Sequence, residues 1–142
     1  MRVEKIKQFS VFMPNKPGAL SRLVALFADH GINILGIASE VRDDSGLVRI
    51  ALDNDSDASS ILSKAGFSSV ETGILSVEVD DKPGQLQRVA DALAEGKINI
   101  TTVYGTSVVG TRTSRILIAV QNADKALAIL ETLAAAEPRT AA

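Results

Sequence analysis

Residues 15–34 read NKPGALSRLVALFADHGINI, and residues 81–100 read DKPGQLQRVADALAEGKINI. Set side by side without a gap, at an offset of 66 residues, they agree at nine of twenty positions: Lys16, Pro17, Gly18, Leu20, Arg22, Ala28, Ile32, Asn33 and Ile34. Pro-Gly at the front and Ile-Asn-Ile at the back recur at one spacing, which chance does not readily give. The chain is an internal duplication, and two small domains, residues 1–72 and 73–142, are expected in place of one medium-sized domain.

The hydrophobic periods on either side of this stretch agree between the copies. Phe9, Val11 and Met13 alternate with Gln8, Ser10 and Phe12, as Leu75, Val77 and Val79 alternate with Ser76 and Glu78. A period of two marks a half-buried strand. Leu20, Leu23, Val24 and Phe27 then recur at i, i+3, i+4 and i+7, and Leu86, Val89, Ala90 and Leu93 repeat the pattern, so each is an amphipathic helix. Gly31 stops the first of these helices and Gly96-Lys97 the second. Two strands follow in each copy, about residues 32–41 and 47–53, then 98–108 and 114–120. Asp43-Asp44-Ser45-Gly46 and the region of Gly110 supply the turns. A second helix comes next, over residues 58–65 and 123–133. The first copy closes with a short strand at residues 68–72 that runs through Gly73 into the next repeat.

Each repeat therefore reads β-α-β-β-α-β. The fold class is α+β: two tandem ferredoxin-like units, each an antiparallel sheet with both helices on one face. The end of the second copy, AAAEPRTAA over residues 134–142, is poor in strand formers and contains Pro138. Its final strand is expected to be absent or rudimentary, leaving a sheet edge less protected.

Composition narrows the function classes. Fifteen Lys and Arg stand against seventeen Asp and Glu, a net charge of −2. That is too near neutral for an electrostatic footprint on nucleic acid or anionic lipid. With no Cys and one His, a His/Cys zinc site is excluded for one chain and no thiolate nucleophile exists. No apolar run reaches the roughly 20 residues that span a bilayer, and residues 1–14 lack the apolar core of a signal peptide. A soluble cytoplasmic protein with no cofactor and no metal is expected.

A β-α-β-β-α-β unit with x-x-P-G-x-L after its first strand and I-N-I opening its second resembles the ACT domain, the small regulatory module of amino-acid-controlled enzymes. The resemblance covers about residues 8–133 in two copies, with no catalytic domain attached. It implies that amino acids bind at interfaces between ACT units. The contacts come from the loop between the first strand and first helix and from the start of the second strand. In this chain those places are Asn15, Lys16, Pro17, Gly18, Ala19, Leu20, Asn33 and Ile34 in the first copy. In the second they are Asp81, Pro83, Gly84, Gln85, Leu86, Asn99 and Ile100.

The residues themselves suit that role. Pro17 at the first helical position fixes φ and gives up only an unpaired N–H. Gly18 lets a ligand approach the backbone. The free N–H groups of Gly18, Ala19 and Leu20 favour a carboxylate, and Asn15 and Asn33 offer neutral donors and acceptors to a zwitterion. Asp81 stands where Asn15 stands and would repel a carboxylate, so the second copy is expected to bind more weakly. Each feature also has a structural reading. Pro-Gly makes a turn, Asn15 and Asp81 form Asx-type caps, and Asn33 and Asn99 hold the strand entry. Arg22 and Arg88 are solvated charges, and His30 is a favourable charge at a helix end.

Three functional classes follow. The leading expectation is a non-catalytic regulator, a homodimer that binds a small amino acid. Its variant is a regulatory subunit docking on an amino-acid biosynthetic enzyme such as acetolactate synthase. A small ferredoxin-like enzyme is a distant alternative, for the chain has no G-x-S-x-G or H-E-x-x-H motif. An RNA-binding module is another, and it would need aromatics that the third strands, with Leu47, Arg49, Ala51, Leu117 and Ala119, do not carry.

Overall fold

A computed structural model describes residues 1–52, 57–107 and 110–137. Its elements run β1 (Arg2–Pro14), α1 (Ala19–Asp29), β2 (Ile34–Arg42), β3 (Ser45–Leu52), α2 (Ala58–Lys64), β4 (Ser68–Asp80), α3 (Gln85–Glu95), β5 (Ile100–Ser107), β6 (Thr113–Val120) and α4 (Ala123–Ala135). The chain divides into two compact units. One is Ile6–Gly73, and the other joins Met1–Lys5 to the chain from Ile74 onward.

In the unit of residues 6–73 the strand order is β2-β3-β1-β4. Antiparallel pairing runs from Lys7 opposite Leu52 to Pro14 opposite Ser45, and β2 pairs on the far side of β3. This register puts Phe9, Val11 and Met13 on one face with Val48, Ile50 and Leu52. Leu23 and Phe27 of α1 and Ala58 and Leu62 of α2 close over that face. Leu23 and Phe27 are fully buried, each contributing roughly 1.5–3 kcal/mol of apolar transfer. Phe12, on the opposite face of β1, is exposed.

The unit that begins again at Ile74 repeats the plan. Leu75, Val77 and Val79 of β4 lie with Ile116, Ile118 and Val120 of β6, covered by Val89 and Leu93 of α3 and Ala126 and Leu130 of α4. Its strand order is β1-β4-β6-β5, with residues 1–5 of β1 beside β4. Those five residues hold the position of a last strand. Met1 and Val3 pack on the core. The Met1 amino group meets Glu137 at 2.8 Å, and Lys5 meets Asp124 at 3.1 Å. The edge expected to lie open is therefore filled from the other end of the sequence. Of the segment expected to carry a weak strand, residues 134 and 135 extend α4, and residues 138–142 lie outside the described residues.

Helix ends follow the local sequence. After α1, Ile32 N–H donates to Phe27 O and Gly31 N–H to Ala28 O, the paired bonds of a Schellman motif. The same pair closes α2 at Gly66 and Phe67, and α3 at Lys97 and Ile98. In α3 the left-handed residue is Lys97, with φ 59°, and not Gly96. At the other end of these helices, only α4 has a side-chain N-cap, Asn122 accepting from Lys125 N–H.

The candidate ligand loops and the two ends of each sheet

The turn from strand to helix has the same backbone in both repeats. Gly18 and Gly84 are the N-caps of α1 and α3, at φ 85° and 93°, and no side chain caps either helix. Helical geometry begins at Ala19, so Pro17 lies in the turn before the cap, and not at the first helical position the sequence suggested. Its rigid φ shapes the turn. Ala19 N–H donates to Lys16 O at 3.3 Å, which removes it from the donors expected for a ligand.

Asn15 and Asp81 tie their loops to the neighbouring hairpins. Asn15 N–H donates to Asp44 O at 3.0 Å, and its side-chain amide to Asp43 O at 3.4 Å. Asp81 N–H donates to Arg112 O at 2.7 Å, and its Oδ1 accepts from the Ser114 hydroxyl at 2.9 Å. Lys16, Pro17, Gly18 and Leu20 are exposed and Ala19 half-buried. In the second repeat Pro83, Gly84 and Leu86 are exposed, whereas Gln85 is buried.

Asn33 and Asn99 are exposed and make no hydrogen bond to a described residue. The following residues, Ile34 and Ile100, turn inward and pack on the two cores. Within one unit these asparagines do not meet the loops. Pro14 lies opposite Ser45 on β3 and Ile34 opposite Leu52. Seven strand residues at ~3.3 Å each place the two groups about 23 Å apart along the sheet. The second unit repeats the separation, with Asp80 opposite Thr113 and Ile100 opposite Val120.

Each loop also borders a cleft inside its own unit. In the first repeat a cavity of about 340 Å³ is lined by Met13, Pro14, Lys16, Pro17, Gly18, Ala19, Arg22 and Phe67. The Arg22 guanidinium lies over the Phe67 ring, 4.4 Å from its centre, and Phe67 is set in place by the Schellman turn after α2. In the second repeat a cavity of about 300 Å³ is bordered by Asp80, Asp81, Lys82, Gln85, Thr106, Ser107 and Ser114, among others. Arg88, at the position of Arg22, bonds instead to Glu137 and to Gln85 Oε1. The Glu137 carboxyl is held below its ordinary range by the hydrogen bond from the Met1 amino group, and further by Arg88, against burial, which acts to raise it. Arg22 is exposed, as its place on a surface helix suggests, and adds the contact with Phe67. Phe67 against Leu133 at the same offset was the signal that set it apart from Arg88.

A family model described as an ACT domain pair matches residues 4–136. The chain belongs to the ACT domain pair family. As an ACT pair it is similar in fold to protein BT0572 from Bacteroides thetaiotaomicron, with a TM-score of 0.83 and 23% identity, over 93% of this chain and 90% of that one. It is also similar to the ligand-free regulatory subunit of aspartate kinase from Thermus thermophilus, with a TM-score of 0.69 and 16% identity, over 92% and 94% of the two chains. The corresponding subunit from Thermus flavus aligns with a TM-score of 0.62 and 17% identity, over 92% and 94%. No curated protein matches this ACT pair at the level of sequence. Among the described residues, no group of three His, Cys, Asp or Glu could hold a metal ion, and no helix is long and apolar enough to cross a membrane.

Proposed function

We propose that this ACT pair is a non-catalytic regulator that binds a free amino acid between two copies of the chain. The observation that carries the reading is the placement of two exposed polar groups at opposite ends of each sheet. The Asn15–Leu20 loop sits at one end and Asn33 about 23 Å away along the strand. A single unit leaves them apart. A twofold axis beside the edge strand sets two units head to tail and brings the loop of one chain to the Asn33 of the other. The loop end then receives the ligand carboxylate, with the unbonded N–H groups of Leu20 and Ser21 as donors. Asn33 supplies a neutral donor and acceptor.

An apolar margin supports pairing at that edge. Leu20 and Ile37 are about half exposed, and so are their counterparts Leu86 and Val103. Ile37 and Val103 stand on β2 and β5, the edge strands of the two units, and strand edges invite partners. Thermal-shift measurements with the twenty amino acids, followed by light scattering, test the proposal. One or a few amino acids should raise the melting temperature, since a ligand at a hundred times its Kd adds about 2.7 kcal/mol. The mass should be that of two chains. A monomer at micromolar concentration, stabilised by no amino acid, overturns the reading.

A second reading is a regulatory subunit docking on an amino-acid biosynthetic enzyme. It draws on the similar structures named as regulatory subunits of aspartate kinase. Co-purification of a large catalytic subunit with the native protein supports it, and its absence favours the free-standing sensor.

A further inference from the structure

The duplication supplies an internal control for one residue, Arg22. Its counterpart Arg88 is neutralised by Glu137. Glu71, 66 residues before Glu137, lies on β4 and pairs with Lys7 at 3.3 Å. Arg22 forms no ion pair with a described residue, and it lies on Phe67 at the rim of the 340 Å³ cleft. Lys16, the other charged residue of that lining, also forms none. Among the described residues, no acidic side chain lines the cleft. Pro14, Pro17 and Phe67 give the remaining wall an apolar character.

We propose that this cleft binds a small organic dianion, with one anionic group on Arg22, the other on Lys16, and its carbon spine against Pro14, Pro17 and Phe67. The ligand supplies the carboxylate-like charge that Glu137 supplies to Arg88. An arginine presents a planar fork to a carboxylate or phosphate, and such bonds are the stronger kind. A zwitterionic amino acid does not fit here, because its ammonium group would face two cations and no carboxylate. The cleft lies within one unit and shares the Lys16–Ala19 stretch with the amino-acid contact proposed above, but unlike that contact it needs no second chain.

The test uses the full chain, with succinate and inorganic phosphate as probes and sodium chloride at matched ionic strength as the blank. Succinate, phosphate or both should stabilise the protein beyond the blank, and calorimetry should give a Kd. Succinate alone assigns the site to dicarboxylates, and phosphate alone to phosphate esters. Arg22→Gln should weaken binding about tenfold or more, and Arg22→Lys should recover part of the loss. Lys125→Gln, which removes an exposed charge from α4, should leave it unchanged. Circular dichroism confirms that each variant is folded. The proposal is overturned if neither probe exceeds the blank, or if Arg22→Gln binds as tightly as the parent. It is also overturned if Arg22→Gln abolishes amino-acid binding in a folded protein, which would make Arg22 part of the other site.

Discussion

Gly31 and Lys97 occupy the same place in the two repeats, one residue past a helix C-cap, and both are left-handed, at φ 67° and 59°. Glycine adopts that conformation without steric cost, whereas a side chain there carries a penalty. Replacing Lys97 with Gly should therefore stabilise the protein by up to about 1 kcal/mol, the relief being partly offset by the greater freedom of glycine in the unfolded chain. Denaturant midpoints check this, and a loss of stability would mean that the Lys97 stem packs usefully.

The two cap glycines make the converse case. Nothing lies within 4 Å of the position a Cβ would take at Gly18 or Gly84, so substitution costs backbone strain and no collision. Gly18→Ala and Gly84→Ala should each destabilise by about 1–2 kcal/mol, to a similar extent. A cost several times larger at one site would mean that its loop is held by more than the turn.

Glu137 makes the second repeat sensitive to acid. Its carboxyl is depressed by the Met1 amino group first and by Arg88, with burial opposing. A group whose folded value is lowered stabilises the protein fully above its unfolded value, and that part is lost as pH falls through the folded one. Glu137→Gln should cost about 1–2 kcal/mol at neutral pH, and the gap from the parent should close on acidification below the ordinary carboxylate range. Unfolding curves across that range decide it, a pH-independent gap being the adverse result.

On the proposed amino-acid site, Asn33→Ala should cost about 1–3 kcal/mol of binding, roughly 5- to 150-fold in Kd, without loss of fold. Asn99→Ala should cost less. Asn15→Ala is expected to act differently, because the Asn15 side chain already bonds to Asp43 O: stability should fall along with affinity. Calorimetry on the three variants, with the amino acid found by the thermal screen, separates these effects. Equal losses at Asn33 and Asn99 would make the two repeats equivalent.

Which parts of this were legible in the sequence has a physical pattern. Phe9, Val11 and Met13, or Leu23 and Phe27, announce their faces by local period, and a gapless repeat states each period twice. The Schellman glycines Gly31 and Gly66 are likewise local. Residues 1–5 gave no such signal. Val3 is one apolar residue among charges, and its place beside β4 depends on a partner far along the chain. The division between the Asn15 loop and Asn33 was also hidden, since eighteen positions of sequence become a full strand length only when an intervening helix returns to the far end of the sheet. Arg22 is exposed, as its place on the helix suggests, but its stacking on Phe67 was hidden because Phe67 comes from beyond α2, 45 residues later.

The place of residues 1–5 bears on how the protein is made. They leave the ribosome before the rest of their unit, for β4 begins at Ser68 and Glu137, which bonds Met1, follows α4, the Met1–Glu137 contact spanning 136 positions. The unit of residues 6–73 has all its strands and helices long before then and can close during synthesis. The other must wait for α4 and for the loop-closure entropy of the Met1–Glu137 contact, which slows folding. Refolding from denaturant should be slowest at this long-range closure, and deleting residues 1–5 removes a strand from the repeat farthest from them in sequence.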